Sequence, residues 1–168
     1  NGPFTKLNII LYSSEPSQVT IDYPGDVNDQ IVSVDGITKI EVPNSYEFYF
    51  NSDGVHNDKA IHIVSDNEIT VYGLNLRGST SDGFLVYPTN VLGTNYKAIS
   101  YTEYFGMTLP AEIAVVAVED NTTIVVGETT TSLNKGEVYF LRSLDLTGEE
   151  VSANKKIGVF SGNTCAMV

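Results

Sequence analysis

The strongest constraint on the fold is a series of short apolar and β-branched runs, each ended by glycine, proline, asparagine or aspartate. In the stretch 111–165 these runs occupy 113–118, 122–126, 138–141 and 157–160. Runs of this length and composition, bounded by turn formers, are typical of β-strands. Residues 119–121 form a turn cluster between the first two runs, so we predict that these two runs form a hairpin.

The same order of runs and turns occurs earlier in the chain, in a weaker form. At one constant offset, Ile10, Glu15, Val19 and Ile21 correspond to Val115, Asp120, Ile124 and Val126. Gly36 precedes an apolar run as Gly136 does, and residues 69–73 correspond to 157–161. We therefore predict a twofold repeat, 5–75 and 111–165, joined by 76–110, and a first hairpin formed by 7–11 and 19–21.

Helical periodicity is almost absent, so the predicted class is all-β. The predicted strands are 6–12, 18–22, 30–34, 37–42, 46–50, 60–64, 68–74, 83–87, 96–101, 112–118, 122–127, 137–142, 149–152 and 156–161. Many short strands at near-regular spacing predict an antiparallel β-sandwich or a barrel-like architecture, here built from two similar halves within one domain, 1–168. Residues 76–83 fit a hairpin loop at the junction of the halves. The predicted core contains Ile10, Val19, Ile63, Val71, Val115, Ile124, Phe140 and Phe160.

The charge, the cysteine count and the lengths of the apolar runs argue against three features: nucleic-acid binding, an internal disulfide and a membrane-spanning helix. The net charge of -12 is spread over both halves of the chain, and it repels phosphate backbones, so nucleic acid is not expected as a partner. Cys165 is the one cysteine, so no disulfide can form within the chain, and it is a buried thiol or pairs outside these residues. No apolar run reaches the roughly 20 residues of a membrane-spanning helix.

Motifs that would carry catalysis are absent from the sequence. His56 and His62 are the two histidines, and no strained serine turn, phosphate-binding glycine loop or HExxH zinc motif occurs. We therefore expect no enzyme and no catalytic residue. The two carboxylates of a glycosidase come together only in the folded protein, so a sequence motif does not reveal them. Three acidic turns, at 26–29, 53–58 and 66–68, leave Ca²⁺ as the metal to consider, but none has the spacing of a known calcium loop. No cofactor or resident metal is predicted.

Loop aromatics and polar turns are the better candidates for binding. The connection 101–109 carries Tyr101, Tyr104 and Phe105, and tyrosine offers a rigid apolar surface with a polar tip. The connection 51–59 is acidic, and its candidate ligand-binding residues are Asp53, His56 and Asp58. Asn121 begins the sequence Asn-Thr-Thr, which makes it a candidate glycosylation site.

Five motifs, in order, carry a resemblance. They are the Tyr72-Gly73 pair, 82–88 with 92–96, 117–122, 145–148 and 160–165. On these the chain resembles the N-terminal domain of IgGFc-binding protein and its bacterial and invertebrate relatives, over roughly residues 5–165. The resemblance implies an extracellular, adhesion-type or mucus-associated module without catalytic activity, but it assigns no binding residues.

The function expected from these observations is a non-enzymatic extracellular or cell-surface adhesion module. Its surface loops would bind an extracellular protein or a neutral glycan. A structural module that assembles into a fibre, matrix or oligomeric adhesin tip is the alternative, and such a module would form homo-oligomers. A glycoside hydrolase is the third hypothesis.

Overall fold

The computed structural model describes residues 5–25, 29–47, 53–78, 80–101 and 109–164. Within these residues the chain forms thirteen strands and two short 3₁₀-helices, at Asn44–Tyr46 and Thr89–Val91. The strands are β1 (Thr5–Asp22), β2 (Gln30–Val42), β3 (Gly54–His56), β4 (His62–Ser65), β5 (Thr70–Arg77), β6 (Thr80–Val86), β7 (Asn95–Lys97), β8 (Ala111–Ala117), β9 (Thr122–Val126), β10 (Thr129–Leu133), β11 (Val138–Ser143), β12 (Glu150–Ala153) and β13 (Ile157–Asn163).

The strands belong to two compact units. The first unit comprises 1–48 and 61–88, and the second comprises 49–60 and 89–168. Every strand pair in the described residues is antiparallel, and the three sheets stay open. The predicted antiparallel all-β class is thereby confirmed, and of the two predicted architectures the open sheets fit a sandwich rather than a barrel.

The first unit is one sheet with the order β2-β1-β5-β6, in which β4 also pairs with β1. Strand β1 alternates over 9–13 and again over 17–22, and its side chains Ile9, Leu11, Val19 and Ile21 are buried in one apolar cluster with residues of β2. This alternation is the period of two that places successive side chains on opposite faces of a strand. The register against β2 shifts between Ser13 and Ser17.

The predicted hairpin of 7–11 and 19–21 is wrong, because both runs belong to the single strand β1. The turn formers between them lie in the register shift, where extra residues on one strand bend it without ending it. Strand β2 stays paired with β1 on both sides of the shift, and Gly36 opposite Ser13 adopts φ +74°. A bulge and a hairpin turn use the same residue types, so the sequence did not distinguish them.

Strands β5 and β6 form a hairpin whose pairing continues to Arg77 opposite Thr80. The predicted loop at 76–83 is therefore much shorter, since β6 begins at Thr80. Gly73 pairs with Phe84, and a methyl group added at Gly73 would lie 2.2 Å from the Phe84 ring. The absence of a side chain at Gly73 thus allows an aromatic ring to cover the backbone of the neighbouring strand.

The second unit is a sandwich of two sheets, with the orders β10-β9-β12-β7 and β13-β8-β11-β3. We call the latter the β8 sheet. Alternate residues of β8 and β9 are buried, and both sheets contribute to one apolar cluster. Its fully buried members include Ile113, Val115, Ile124 and Ile157. The two sheets of a sandwich pack their inner faces into a common core in this way.

The predicted hairpin at 113–126 is also wrong. Strand β8 pairs with β11 and β13, whereas β9 pairs with β10 and β12 in the other sheet. Asn121 adopts φ +54° in the turn between β8 and β9, a left-handed conformation that asparagine tolerates better than most residues. Periodicity predicted both strands, but it carries no information about which strands pair.

The remaining predictions have mixed outcomes. Val19, Val115, Ile124 and Phe140 are buried as predicted, and Ile10, Ile63 and Val71 are partly buried. The prediction for Phe160 is wrong, because its side chain is 38% exposed on the phase of β13 opposite to Ile157. Strands β3 and β10 were not predicted. A 3₁₀-helix occupies the start of the predicted strand 46–50, and residues 48–50 lie outside the described part of the chain.

Candidate functional site at one end of the β8 sheet

The candidate site lies at the end of the β8 sheet where β8 begins and β11 and β13 end. Ala111, the first residue of β8, pairs with Ser143 on one side and with Asn163 on the other. The next row across the sheet consists of Glu112, Arg142 and Gly162. Loops at the ends of rigid strands are the usual position of recognition residues in β-sandwiches.

Asn163 and Thr164 hold both ends of the chain segment that connects Tyr101 to Pro110. The amide of Tyr101 donates to Oδ1 of Asn163 at 2.8 Å, and Nδ2 of Asn163 donates back to the Tyr101 carbonyl. The amide of Thr164 donates to the Pro110 carbonyl at 3.0 Å. Two consecutive residues at the end of β13 therefore fix where this connection starts and where it returns.

Ser100 is held by the turn at 145–148. Its hydroxyl donates to the Asp145 carboxylate at 3.2 Å and accepts from the Leu146 amide at 3.1 Å, while the Thr147 hydroxyl donates to the Ser100 carbonyl at 2.9 Å. Hydrogen bonds from Thr147 and Ser100 lower the pKa of Asp145, because they stabilise the ionised carboxylate. The backbone leading into Tyr101 is thus fixed before the connection begins.

A charged cluster lies in the same end of the β8 sheet. Nε and Nη2 of Arg142 donate to the two carboxylate oxygens of Asp53 at 3.0 and 3.3 Å, and this pairing raises the pKa of Arg142. Glu112 pairs with Arg142 across the strands and accepts a hydrogen bond from Thr164 at 2.9 Å. Burial raises the pKa of Glu112, an effect that Thr164 and Arg142 oppose.

Exposed apolar side chains surround this fixed backbone. Ile99, Tyr101 and Leu144 are between 51% and 74% exposed. Ile99 and Tyr101 flank Ser100, and Leu144 precedes Asp145, the partner of Ser100, so the hydrogen bonds that hold Ser100 also bring these three residues to one end of the unit. Exposed apolar residues that converge on a rigid frame are suited to contact with a partner.

The predicted binding residues divide into two groups. Tyr101 and Asp53 lie at the same end of the β8 sheet, since Asp53 binds Arg142 in the row next to Asn163. His56 pairs with Val138 at the opposite end of β11, and Asp58 lies beyond it, 3.8 Å from the Lys59 ammonium. Tyr104 and Phe105 lie outside the described residues. Asn121 is exposed in the β8–β9 turn, at the end of the unit away from Tyr101.

Ile99, Leu144, Arg142 and Glu112 were not among the predicted site residues. Only Ile99 and Leu144 gave a sequence signal, each being a large apolar residue next to polar turn formers. Arg142 and Glu112 became recognisable through the strand register, because their opposition depends on which strands pair.

The described residues contain no group of three or more histidine, cysteine, aspartate or glutamate side chains that could hold a metal ion. The prediction that the chain holds no cofactor or resident metal, with Ca²⁺ the metal to consider at the acidic turns, stays a prediction. The described helices include none with the length and apolar character needed to cross a membrane.

Several residues of the sequence motifs hold the second unit together. The Tyr96 hydroxyl accepts from the Gly93 amide at 2.7 Å and donates to the Ile157 carbonyl at 3.0 Å. The buried Thr122 hydroxyl donates to the Glu119 carbonyl at 2.6 Å. Together with Ser100's partners and Asn163, these contacts show that the motifs specify the frame of the unit.

A comparison with known protein families agrees with this frame. The sequence profile of the family described as IgGFc binding protein matches residues 82–168, just over half of the chain. The chain belongs to this family. The matched residues include most of β6, strands β7 to β13 and both ends of the connection between Tyr101 and Pro110. Neither curated proteins nor solved structures gave a match.

Proposed function

We propose that this chain is a non-enzymatic protein-binding module of an extracellular or cell-surface protein. Membership of the IgGFc-binding family supports both the binding role and the location. The partner would contact the end of the β8 sheet, where Tyr101, Ile99 and Leu144 are exposed. The adhesion role stays part of this proposal.

The observation that carries the proposal is the double attachment of the connection between Tyr101 and Pro110. Asn163 and Thr164 fix its ends, and the turn at 145–148 fixes the backbone before it. A residue whose backbone is already fixed, as that of Tyr101 is, loses little conformational freedom on binding, so more of its interaction free energy appears as affinity. Tyr104 and Phe105, which the sequence places within this connection, remain candidate contact residues alongside Tyr101.

The acidic residues of the site favour particular partners. Asp53 is half exposed although it pairs with Arg142, and the whole chain carries a net charge of -12. A partner surface with lysine or arginine side chains would be attracted to this end, and the attraction would weaken as salt screens the charges. A neutral glycan stacked on Tyr101 is the second candidate ligand, and its binding would resist salt.

The experiment is a binding measurement with two probes, the Fc fragment of immunoglobulin G and an array of neutral glycans. The wild-type chain is compared with the Tyr101→Ala variant and with the Tyr104→Ala, Phe105→Ala variant at low and high salt. We expect each variant to bind the recognised probe at least about tenfold more weakly, which corresponds to roughly 1.4 kcal/mol.

The matched control is Val125→Ala, which truncates an exposed side chain on strand β9 of the other sheet. This control should bind as the wild-type chain does. Full binding by both tyrosine variants under both salt conditions would exclude this end of the unit as the site. Oligomers of the isolated wild-type chain in light scattering would favour the assembly role.

A further inference from the structure

The first unit presents an unusual surface on the face of its sheet opposite to the apolar core. Tyr12 pairs with Ile37 of β2, and Tyr72 of β5 pairs with Leu85 of β6. Tyr72 also pairs with Ile10, two residues from Tyr12, so the two tyrosines are diagonal neighbours on adjacent strands. We call Tyr12, Ile37, Tyr72 and Leu85 the tyrosine face.

The exposure of this face is high for residues of these types. All four side chains are between 42% and 76% exposed, while Leu11, which precedes Tyr12 along the strand, is fully buried on the other face. A sheet needs one apolar face for its core, and the opposite face of an antiparallel sheet is normally polar. Four large side chains placed together across four strands form a contiguous apolar patch, which is a feature of interaction sites.

Acidic residues border the face at the bend of β1. The Ser13 hydroxyl donates to the carbonyls of Glu15 and Glu68 at 2.6 and 3.3 Å, so the backbone of both residues lies at the bend that follows Tyr12. Ser13 also pairs with Gly36, which places Asp35 at the same bend. All three acidic side chains are exposed. One basic residue lies close to the tyrosine face: Lys39 of β2 pairs with Ile10, which pairs with Tyr72 on its other side.

We propose that the tyrosine face is a second binding surface, which takes a protein partner that combines an apolar centre with lysine or arginine side chains at its rim. Tyrosine and aliphatic side chains supply the desolvated centre of such an interface, and basic residues of the partner meet the three carboxylates. A second copy of this chain fits poorly, because a net charge of -12 on each copy opposes their association. This surface belongs to the first unit, so it is independent of the site at the end of the β8 sheet.

The test uses a random-peptide phage library selected on the full wild-type chain, with counter-selection on the Tyr12→Ser, Tyr72→Ser variant. We expect the recovered peptides to combine lysine or arginine with aromatic or aliphatic residues. Synthetic copies of these peptides should bind the double tyrosine variant at least about tenfold more weakly. Their binding to wild type should also weaken as salt rises.

A second variant keeps the test valid if serine at these positions disturbs the sheet. The Glu15→Gln, Glu68→Gln variant leaves every apolar contact in place. It should bind the peptides several-fold more weakly than wild type, and this binding should depend less on salt. The matched control is Ile31→Ser with Val64→Ser, which removes two exposed side chains that flank Thr20 on the other segment of β1. The control variant should bind the peptides as wild type does.

Three results would overturn the proposal. The first is that no recovered peptide distinguishes the tyrosine variant or the glutamine variant from wild type. The second is that the recovered peptides are acidic or lack basic residues. The third is a wild-type dimer in sedimentation that the Tyr12→Ser, Tyr72→Ser variant abolishes, since the face would then be covered by a second copy.

Discussion

The strands of the two units pair in the same scheme, but the first unit forms this scheme from fewer and longer strands. In the second unit β8 pairs with β11 and β13, while β9 pairs with β10 and β12. In the first unit the opening segment of β1 pairs with the closing segment of β2 and with β5, while its closing segment pairs with the opening segment of β2 and with β4. Four separate strands in one unit thus correspond to two continuous strands in the other.

Equivalent hydrogen bonds reinforce the correspondence. In the first unit the Gln18 amide donates to Oδ1 of Asp66 at 2.8 Å, and the Asp66 amide donates to the Gln18 carbonyl at 3.2 Å. In the second unit Thr123 and Asn154 make the same two bonds at 2.8 and 3.1 Å. The superposition of the repeats 5–75 and 111–165 stays a prediction, and these contacts support it.

The difference shows how a small change in a turn alters sheet organisation. Three residues separate the paired Ser13 and Ser17 within β1, and β1 continues as one strand. Four residues separate Ala117 from Thr122, with Asn121 in a left-handed conformation, and the chain passes from one sheet to the other. A single additional turn residue is thus associated with the change from a bulge to a crossover.

The largest expected effect comes from truncating one core residue in each unit. Leu11→Ala and Ile124→Ala should each lower the free energy of unfolding by about 2–5 kcal/mol, because both side chains are fully buried. Since each unit has its own apolar cluster, native-state hydrogen exchange should show the greater loss of protection in the unit that carries the substitution. The exposed substitution Ile37→Ala is the control. Equal loss of protection in both units after either core substitution would show that they unfold together.

The repeat illustrates what could be predicted from the sequence. Val19 and Ile124, and Ile21 and Val126, are buried pairs at the predicted offset. Before the turn, the offset is wrong by one residue. It pairs Val115 with Ile10, which is only partly buried, whereas the fully buried residue that matches Val115 is Leu11. The additional turn residue changes the phase, and a one-residue shift moves every side chain of a strand to the other face.

Site prediction was limited by the same missing information. Tyr101 and Asp53 were chosen as loop residues, but their position at one end of the β8 sheet depends on the order β13-β8-β11-β3. His56 was chosen as a loop residue and lies in a strand, because three residues are too few for a periodic signal. The motifs identified the family, but they could not show that their polar residues bind the backbone.

A smaller effect is expected from Gly73→Ala in the first unit. The added methyl group would meet the Phe84 ring, so we expect a loss of roughly 1–3 kcal/mol in thermal or chemical unfolding. The matched control in the second unit is Gly158→Ala, where the new carbon would lie 3.8 Å from Val116, an ordinary contact. Combination with Phe84→Leu should recover part of the loss. Equal melting temperatures for the two glycine variants would contradict the close approach.

The smallest effect separates the equivalent residues Asp66 and Asn154. Hydrogen bonds from the Ser17 hydroxyl and the Gln18 amide lower the pKa of Asp66, so the stability they supply is present above the ordinary aspartate pKa and is lost as pH falls through the lowered value. Asn154 does not titrate. In an NMR titration the Gln18 amide should therefore shift in acid while Thr123 does not, and Asp66→Asn should abolish the Gln18 response. Parallel shifts of both amides in acid would show that the Gln18 response does not come from the ionisation of Asp66.

The fixed ends of the connection between Tyr101 and Pro110 have a consequence for how such modules diversify. The entropic cost of closing a loop grows only slowly with its length, so residues 102–108 can be exchanged or extended while Asn163 and Thr164 keep their bonds. Under the proposed function, proteins that share this frame would acquire different partners by replacing a single segment, as antibodies do with their variable loops. The same feature makes the second unit a scaffold for grafted binding peptides.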